Sequence, residues 1–184
     1  DEDIDTGRII SHKRLPIPDD ANVEWVYDHL MNLGAELCIE TVDRILQNDG
    51  KVETTEQPQD QPLKHAPKIF KETCQIDWNQ PAKRIYDFIR GLSPYPGAWT
   101  EIQKEGTDAD NKPQVLKIFS TTKTQMPANA QPGTFLVEGY RLFVNTADNL
   151  LELQEIQLAG KKRMASRDFL NGTRDANLYH AITK

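Results

Sequence analysis

One aspartate near the start of the chain has the type and the setting of a residue that could take part in catalysis. The segment DEDIDTGRII, residues 1–10, places four carboxylates within five positions and then becomes apolar at Ile9 and Ile10. Asp5 stands directly before Thr6-Gly7, which is a turn signal. Taken alone, this pattern is typical of an Asx-type turn, in which the aspartate side chain bonds to nearby backbone groups.

A second charged segment suits contact with a polyanion. GKKRM, residues 160–164, places Lys161, Lys162 and Arg163 side by side after a glycine. Long cationic side chains on a loop can reach phosphate groups without reading the order of the bases. The same run is also typical of an ordinary solvated loop, so charge alone leaves both interpretations open.

The sequence offers little for metal or disulfide chemistry. The four histidines stand at positions 12, 29, 65 and 180. None of them has a second His, a Cys or a carboxylate at metal-binding spacing. With only Cys38 and Cys74, neither a disulfide framework nor a cysteine-based zinc site is indicated. We therefore expect no metal and a reduced, cytoplasmic setting.

Charge divides the chain into an acidic and a mildly basic part. Residues 1–60 hold 5 Lys/Arg and 15 Asp/Glu, a net charge of −10, whereas residues 61–184 hold 17 Lys/Arg and 13 Asp/Glu, a net charge of +4. This asymmetry indicates that the two parts face different partners. No apolar run approaches the roughly 18 residues that a membrane-spanning helix needs, so no membrane partner is expected.

The first 50 residues predict one strand and one long helix. Residues 8–17, RIISHKRLPI, alternate as a strand does, and Asp20 or Asn22 can cap a helix that ends near Asp49-Gly50. Its apolar positions recur in steps of three and four, which predicts one long apolar face with Cys38 as a core thiol. Because a single strand precedes it, we expect this face to cover a sheet that lies upstream of the chain. The face consists of Val23, Tyr27, Leu30, Leu37 and Ile45.

The middle of the chain predicts a linker and a second helix. Residues 51–71 are rich in Pro and Gln and cannot bury much apolar surface, which is typical of a linker. Asn79 is expected to cap the next helix, with Pro81 in its first turn. Trp78 and Trp99 could stack on bases, but their positions favour a role as core anchors.

The remainder predicts a small β-barrel or sandwich, because several short strand patterns follow one another at close spacing. Turn residues at Glu138-Gly139 and Ala147-Asp148 indicate hairpins. A last helix is expected from about Ser166 to Leu170, with Ser166 as its cap. The strand patterns are AWTEIQ, QVLKIFSTTK, GTFLVE, YRLFVNT and NLLELQEIQLAG.

Three segments closely resemble the C-terminal half of the methionyl-tRNA formyltransferase family. They are HAPKIFKETCQIDW at 65–78, IRGLSPYPGAWTEI at 89–102 and LELQEIQLAGKKRMASRDFLNG at 151–172. The opening DEDIDTGRII resembles the family's D-x-x-x-D-T-G loop, so the resemblance covers essentially the whole chain in the right order.

This resemblance implies an α+β fold in three parts. Residues 1–50 would be the last strand and helix of a Rossmann-like formyltransferase domain, and residues 51–71 a linker. Residues 72–184 would form an OB-like β-barrel with flanking helices that helps to bind tRNA.

The resemblance also implies an activity and a set of site residues. The family transfers a formyl group from 10-formyltetrahydrofolate to the α-amine of methionyl-initiator tRNA. Asp5 matches the catalytic aspartate of the family, and the loop beside the pterin ring would consist of Asp1, Glu2, Asp3 and Ile4. The tRNA-binding candidates are Lys161, Lys162 and Arg163, followed by Lys68, Lys71, Lys83, Arg84 and Arg90.

The family's Asn and His, and its SLLP-type folate loop, lie upstream of the matched segments. We therefore expect this chain alone to be inactive and the complete enzyme to be monomeric.

Two other functions stay open at this point. One is a related folate-dependent formyltransferase that acts on a sugar nucleotide or in another folate reaction, and the other is a stand-alone nucleic-acid-binding OB module. The run Lys161–Arg163 favours the tRNA enzyme, because a sugar substrate needs no distant cationic surface. The acidic loop and the long apolar helix disfavour a stand-alone module, which has no use for them.

Overall fold

A computed structural model describes residues 4–58, 62, 64–106 and 112–182 of the chain. The chain divides into two compact units, Asp1–Lys68 and Ile69–Lys184. In the part of the chain that the structure describes, no helix combines the length and the apolar character that crossing a bilayer requires.

The first unit is built around one long helix, α1, at Val23–Gln47. Asn22 caps it as predicted, because its side-chain oxygen accepts a hydrogen bond of 2.9 Å from the backbone N–H of Trp25. The helix ends at the predicted turn, where Asp49 and Gly50 both adopt positive φ, at 50° and 82°. Left-handed residues of this kind commonly end helices.

The predicted strand at residues 8–17 is wrong. Only Ile9 forms a β-bridge, and its partner is Thr55 in the segment predicted to be a linker. The two residues exchange backbone hydrogen bonds of 2.8 Å in both directions. The alternating pattern of residues 8–17 therefore has no neighbouring strand to extend along, and pairing stops after one bridge.

The apolar face of α1 is exposed at Val23, Tyr27 and Leu30 and half-buried at Leu37 and Ile45. None of the 25 residues of this helix is buried, and Tyr27 and Leu30 are 67% and 50% exposed. The prediction that Cys38 is a core thiol is wrong, because this side chain is exposed together with the face on which it lies.

The second unit contains the sheet, whose strands run antiparallel. Along the sheet the order is β3-β4-β5-β2-β1-β7, and β6 pairs with β5. The strands are β1 (Ala98–Lys104), β2 (Gln114–Pro127), β3 (Phe135–Glu138), β4 (Arg141–Asn145), β5 (Asn149–Leu158), β6 (Met164–Ala165) and β7 (Tyr179–Ile182). The five strands predicted from sequence and both hairpin turns are confirmed, whereas β6 and β7 were not predicted.

The sheet curls until its two ends meet. Thr134, next to β3, forms a bridge with His180 of β7, and the backbone N–H of Ala181 donates to the Gly133 carbonyl over 2.8 Å. Helix α2, at Ala82–Leu92, packs on β2 and contributes Ile85 and Ile89 to the core. The fully buried side chains of this core include Trp78, Ile102, Leu116, Ile118, Leu142, Leu153 and Ile156.

Two predicted helix caps are wrong. At the start of α2 a side chain 66 positions away supplies the cap, because the Ala82 N–H donates over 2.7 Å to the carboxylate of Asp148. Asn79 instead bonds to Asp77, in the turn before the helix. Ser166 is the first residue of the last helix, α3 (Ser166–Gly172), and its buried hydroxyl has no hydrogen-bond partner in the described part of the chain.

Candidate functional site

Asp5 lies in a turn that a distant segment holds in place. Its backbone has φ of 64°, a left-handed conformation that Asp and Asn adopt more readily than other side chains. The side-chain amide of Gln57 donates to the carbonyl oxygens of Asp5 and of Gly7, each over 2.7 Å. The carboxylate of Asp5 makes no hydrogen bond or ion pair with the described residues, so it stays available to another group.

A second set of bonds fixes the same turn on its downstream side. The guanidinium of Arg8 donates to the Thr54 hydroxyl over 2.8 Å and to the Glu56 carboxylate over 2.9 Å. This brace could not be predicted from sequence, because residues 54–57 lie in a stretch with the composition of a linker. Of the predicted pterin-side residues, Asp1, Glu2 and Asp3 lie outside the described residues, and Ile4 is 90% exposed.

The three cations after Gly160 form an exposed loop, which we call the basic loop (Gly160–Arg163). Its backbone is ordered, because the N–H of Lys161 donates to the Leu158 carbonyl and its own carbonyl accepts from the Gln157 side chain, both over 2.9 Å. Gly160 has φ of 75°, a conformation that favours glycine. The ammonium groups of Lys161 and Lys162 form no ion pair with the described residues.

Arg163 differs from the two lysines beside it. Its guanidinium forms an ion pair with Glu155 and lies over the Phe119 ring, 4.3 Å from the centroid. The register of β5 with β6 explains the pair, because Glu155 is opposite Ala165, two residues beyond the arginine. The sequence therefore predicts three equal cations, whereas the structure shows two unpaired cations and one that is already neutralised.

The candidates on α2 divide in a similar way. Lys83 and Arg90 both bond to the carboxylate of Asp87, and Arg84 is exposed without an ion pair among the described residues. Partial burial of Asp87 disfavours its charge, but the hydrogen bonds from the two cations outweigh that effect and hold its pKa below the ordinary value. The net charge of this helix surface is consequently lower than its sequence indicates.

The last two candidates belong to different units. Lys68 is exposed at the end of the first unit. Lys71 begins a short 3₁₀ turn at Lys71–Cys74 in the second unit, and its ammonium lies 5.8 Å from the centroid of the Trp99 ring.

The two tryptophans considered as base-stacking candidates, Trp78 and Trp99, occupy different environments. Trp78 is fully buried and donates to the Thr100 hydroxyl, which confirms its predicted role as a core anchor. Trp99 is only half-buried. In the described part of the chain, no group of His, Cys, Asp and Glu side chains is placed to hold a metal ion.

The second unit thus combines a curled antiparallel sheet, helix α2 packed on it and the exposed basic loop. Residues 68–174 match the family described as "Formyl transferase, C-terminal domain". The chain belongs to this family, and the resemblance stated from sequence is confirmed.

The curated relatives give a more particular comparison. A protein named methionyl-tRNA formyltransferase from Parabacteroides distasonis is 48% identical over 178 residues, and one of the same name from Phocaeicola vulgatus is 48% identical over 180 residues. These matches cover 92% and 95% of the chain but only 52% and 54% of the two relatives. The chain thus spans about half the length of the curated relatives it matches.

Among solved structures, the chain resembles HypX from Aquifex aeolicus, in a crystal structure in complex with tetrahydrofolic acid. The TM-score is 0.61 at 17% identity, over 92% of this chain and 28% of that one. A variant of the same protein gives a TM-score of 0.60 at 16% identity. At this level of identity, the comparison shows similarity of fold and nothing further.

Proposed function

We propose that the chain is the C-terminal part of a methionyl-tRNA formyltransferase. The observation that supports this most is its identity of 48%, sustained over 178 residues, to a relative that carries that name. In the proposed whole enzyme, 10-formyltetrahydrofolate is the co-substrate that supplies the formyl group. The acceptor is the α-amine of methionyl-initiator tRNA in the cytoplasm, and the enzyme acts as a monomer.

In this proposal the chain contributes Asp5 to the transfer step. The neutral amine attacks the formyl carbon, negative charge develops on the formyl oxygen, and a proton passes from the amine to the departing nitrogen. A carboxylate that is unpaired among the described residues and lies on a braced turn can orient a neighbouring imidazole and stabilise its protonated form, or it can position a water molecule. The imidazole and the amide donor for the oxygen would come from upstream of the chain, so this chain alone should not catalyse transfer.

The chain's other contribution would be to bind tRNA. The second unit, an OB-like barrel in this proposal, presents the exposed and unpaired ammonium groups of Lys161 and Lys162, which suit phosphate contacts. We assign the same role with less weight to Arg163, Arg84 and the remaining cations named above. The names of the relatives support tRNA over a sugar nucleotide as the acceptor, because all of the relatives cited here are methionyl-tRNA enzymes.

A chimera tests the proposal directly. The C-terminal half of the Parabacteroides distasonis relative is replaced by this chain, and formylation of methionyl-tRNA is measured with and without 10-formyltetrahydrofolate. We expect turnover by the chimera and none by the chain alone. We expect Asp5→Asn in the chimera to lower kcat by about 100-fold or more, because proton transfer by positioned groups contributes on that order.

Two controls make the result interpretable. Asp49→Asn alters the other Asp with positive φ, which lies at the end of α1 in the same unit, and should leave kcat within twofold. The thermal unfolding of the Asp5→Asn chain should match that of the unmodified chain, because its carboxylate has no partner to lose among the described residues. An active chimera whose kcat is unchanged by Asp5→Asn would remove Asp5 from the proposed mechanism.

A further inference from the structure

A cleft of about 300 Å³ opens on the second unit between the 3₁₀ turn at Lys71–Cys74 and the loop before β1. We call it the aromatic cleft and define it by six of its lining residues: Phe70, Lys71, Tyr95, Gly97, Trp99 and Lys117. Three of the six carry aromatic rings and two carry ammonium groups. No carboxylate is among the lining residues.

The rings of the aromatic cleft are accessible, and one of them is fixed in orientation. Tyr95 is 84% exposed and Phe70 is 57% exposed, which is unusual for side chains of this size. The indole N–H of Trp99 donates to the Lys71 carbonyl over 2.8 Å, and its backbone carbonyl accepts from Ile76 over 2.8 Å. Trp99 therefore presents its ring in one orientation, with little conformational freedom left to lose when a ligand stacks on it.

In the wall of the aromatic cleft, Gly97 lies against the side chains of Phe119 and Lys117. Gly97 has φ of 85°, and a Cβ placed on it would lie 3.3 Å from Cε1 of Phe119. The ammonium of Lys117 bonds to the neighbouring Pro96 carbonyl over 3.2 Å, which holds this cation at the edge of the cleft. Planar rings beside fixed cations, without nearby carboxylates, suit a ligand that is both flat and anionic.

Two contacts join the aromatic cleft to the basic loop. The Phe119 ring that approaches Gly97 also lies under the guanidinium of Arg163. Val115, which lines the cleft, accepts a backbone hydrogen bond of 2.9 Å from Ala159, directly before the loop. The basic loop therefore begins beside the strand that lines the aromatic cleft, and Arg163 shares the Phe119 ring with Gly97.

We propose that the aromatic cleft binds an unpaired nucleotide of the tRNA, with its base stacked among the rings of Phe70, Tyr95 and Trp99 and the adjoining phosphates on the basic loop. A base in a duplex cannot enter, because both of its faces are covered by neighbouring bases. Single-stranded RNA is recognised in this way, by aromatic stacking beside a cationic groove. This inference rests on the proposed function and adds to it that the bound segment is single-stranded.

The test uses the 184-residue chain and three RNA probes. Fluorescence anisotropy measures its affinity for an oligoadenylate of about 12 nucleotides, for an RNA duplex of the same length, and for tRNA. We expect Tyr95→Ser and Phe70→Ser each to weaken oligoadenylate binding by about 5- to 100-fold, the range that loss of one base–aromatic stack gives. The duplex should bind more weakly than the single strand, and its affinity should change less than twofold in these variants.

Tyr140→Ser is the matched control, because Tyr140 is also a largely exposed tyrosine, at 64%, and does not line the aromatic cleft. It should leave every affinity within twofold. A second measurement follows intrinsic fluorescence: oligoadenylate should quench part of it in the unmodified chain, Trp99→Phe should remove that quenching, and Trp25→Phe should keep it, since Trp78 is buried and Trp25 lies in the first unit.

The outcomes separate this inference from the proposed function. If the chain binds tRNA, but the double variant Phe70→Ser/Tyr95→Ser binds oligoadenylate and tRNA as the unmodified chain does, the aromatic cleft is not a nucleotide site and the proposed function stands. Equal binding of duplex and single strand, with equal losses in the variants, overturns it as well. If the chain binds none of the probes, both this inference and the assigned tRNA-binding role fail.

Discussion

The two kinds of cation in the basic loop lead to a prediction about the salt dependence of tRNA binding. Lys161 and Lys162 are exposed and unpaired, whereas Arg163 is paired with Glu155 and lies over Phe119. A cation that meets a phosphate releases a counterion, but a cation already neutralised by a carboxylate has little left to release. We therefore expect Lys161→Ala and Lys162→Ala to act alike, and Arg163→Ala to act differently.

The magnitude follows from the number of unpaired charges. Each phosphate contact contributes about 0.7–0.9 to the slope of log K against log salt concentration, so each lysine substitution should reduce the slope by that amount. A contact of slope about 0.8 contributes almost nothing to affinity at 1 M salt. Its loss should therefore weaken binding roughly tenfold at 50 mM salt and about three- to fourfold at 200 mM salt, for each lysine substituted. The double substitution should lose about 100-fold at 50 mM, because two independent contacts add in free energy.

Arg163→Ala should change the slope by much less than the roughly 0.7–0.9 that one phosphate contact contributes. Its main effect should be on stability, where an exposed ion pair and an exposed cation–π contact are each worth about 1 kcal/mol or less. Glu155→Gln provides the reciprocal test, because it leaves the guanidinium in place and removes its partner. That variant should bind tRNA more tightly, and the slope should rise by up to about 0.7–0.9, the contribution of one phosphate contact.

The assay is fluorescence anisotropy with labelled tRNA over a series of salt concentrations, with the 184-residue chain and its variants. Lys51→Ala, an exposed lysine without an ion pair among the described residues of the acidic unit, is the control and should leave the slope unchanged. If Arg163→Ala lowers the slope as much as either lysine substitution does, Glu155 does not neutralise Arg163. If the double lysine variant keeps the slope of the unmodified chain, the two lysines do not contact phosphates.

Two further predictions concern the brace of the Asp5 turn and the cap of α2. Gln57→Ala removes both bonds to the turn and should lower the kcat of the chimera by about 10- to 100-fold in the formylation assay, a cost typical of a misplaced group. Glu53→Ala, which alters an exposed residue of the same segment outside the brace, should cost less than about twofold. Asp148→Ala should lower the free energy of unfolding by about 1 kcal/mol at pH 7, measured with urea. The bond from the Ala82 N–H lowers the pKa of Asp148. This stabilisation should therefore be complete above about pH 4, the unfolded value, and be lost as pH falls through the lower folded pKa, while Asp148→Asn should show no such pH dependence.

The strands of the second unit could be predicted from sequence because each pattern is local. Turn residues at Glu138-Gly139 and Ala147-Asp148 mark where the chain reverses, and the apolar residues between them alternate or run continuously. Strand β7 escaped prediction because Tyr179–Ile182 is short and pairs with β1, some 75 positions earlier in the chain. Four residues carry no sequence pattern that indicates pairing with a strand so distant in the chain.

The predictions of the helix caps were wrong for a related reason. Asn79 has the residue type and the spacing of a cap, and local reasoning has no ground for preferring Asp148. The structure prefers Asp148 because the turn between β4 and β5 brings its carboxylate to the first N–H of α2, while Asn79 is already engaged with Asp77. Caps that arise from tertiary packing are not visible in the sequence near the helix.

For the candidate site residues, the sequence predicts the type of charge but not its pairing in the fold. Asp5 and the lysines of the basic loop are exposed and unpaired, so they keep the properties that their residue types indicate. Arg163 does not, because the register of a two-residue strand places Glu155 beside it. The contribution of a charged residue therefore depends on pairings that only the fold determines.

The residues that we assign to catalysis and to tRNA binding are held by different parts of the chain. The described bonds that fix the turn of Asp5 come from Gln57 and its neighbours in the first unit, while the basic loop is fixed by Leu158 and Gln157 in the second. A substitution at Gln57 should thus act on the chemical step and appear in kcat. A substitution at Lys161 removes a contact present in the ground state and the transition state alike, so it should appear in KM. Because these two sets of bonds share no residue, their effects on kcat/KM should add in free energy.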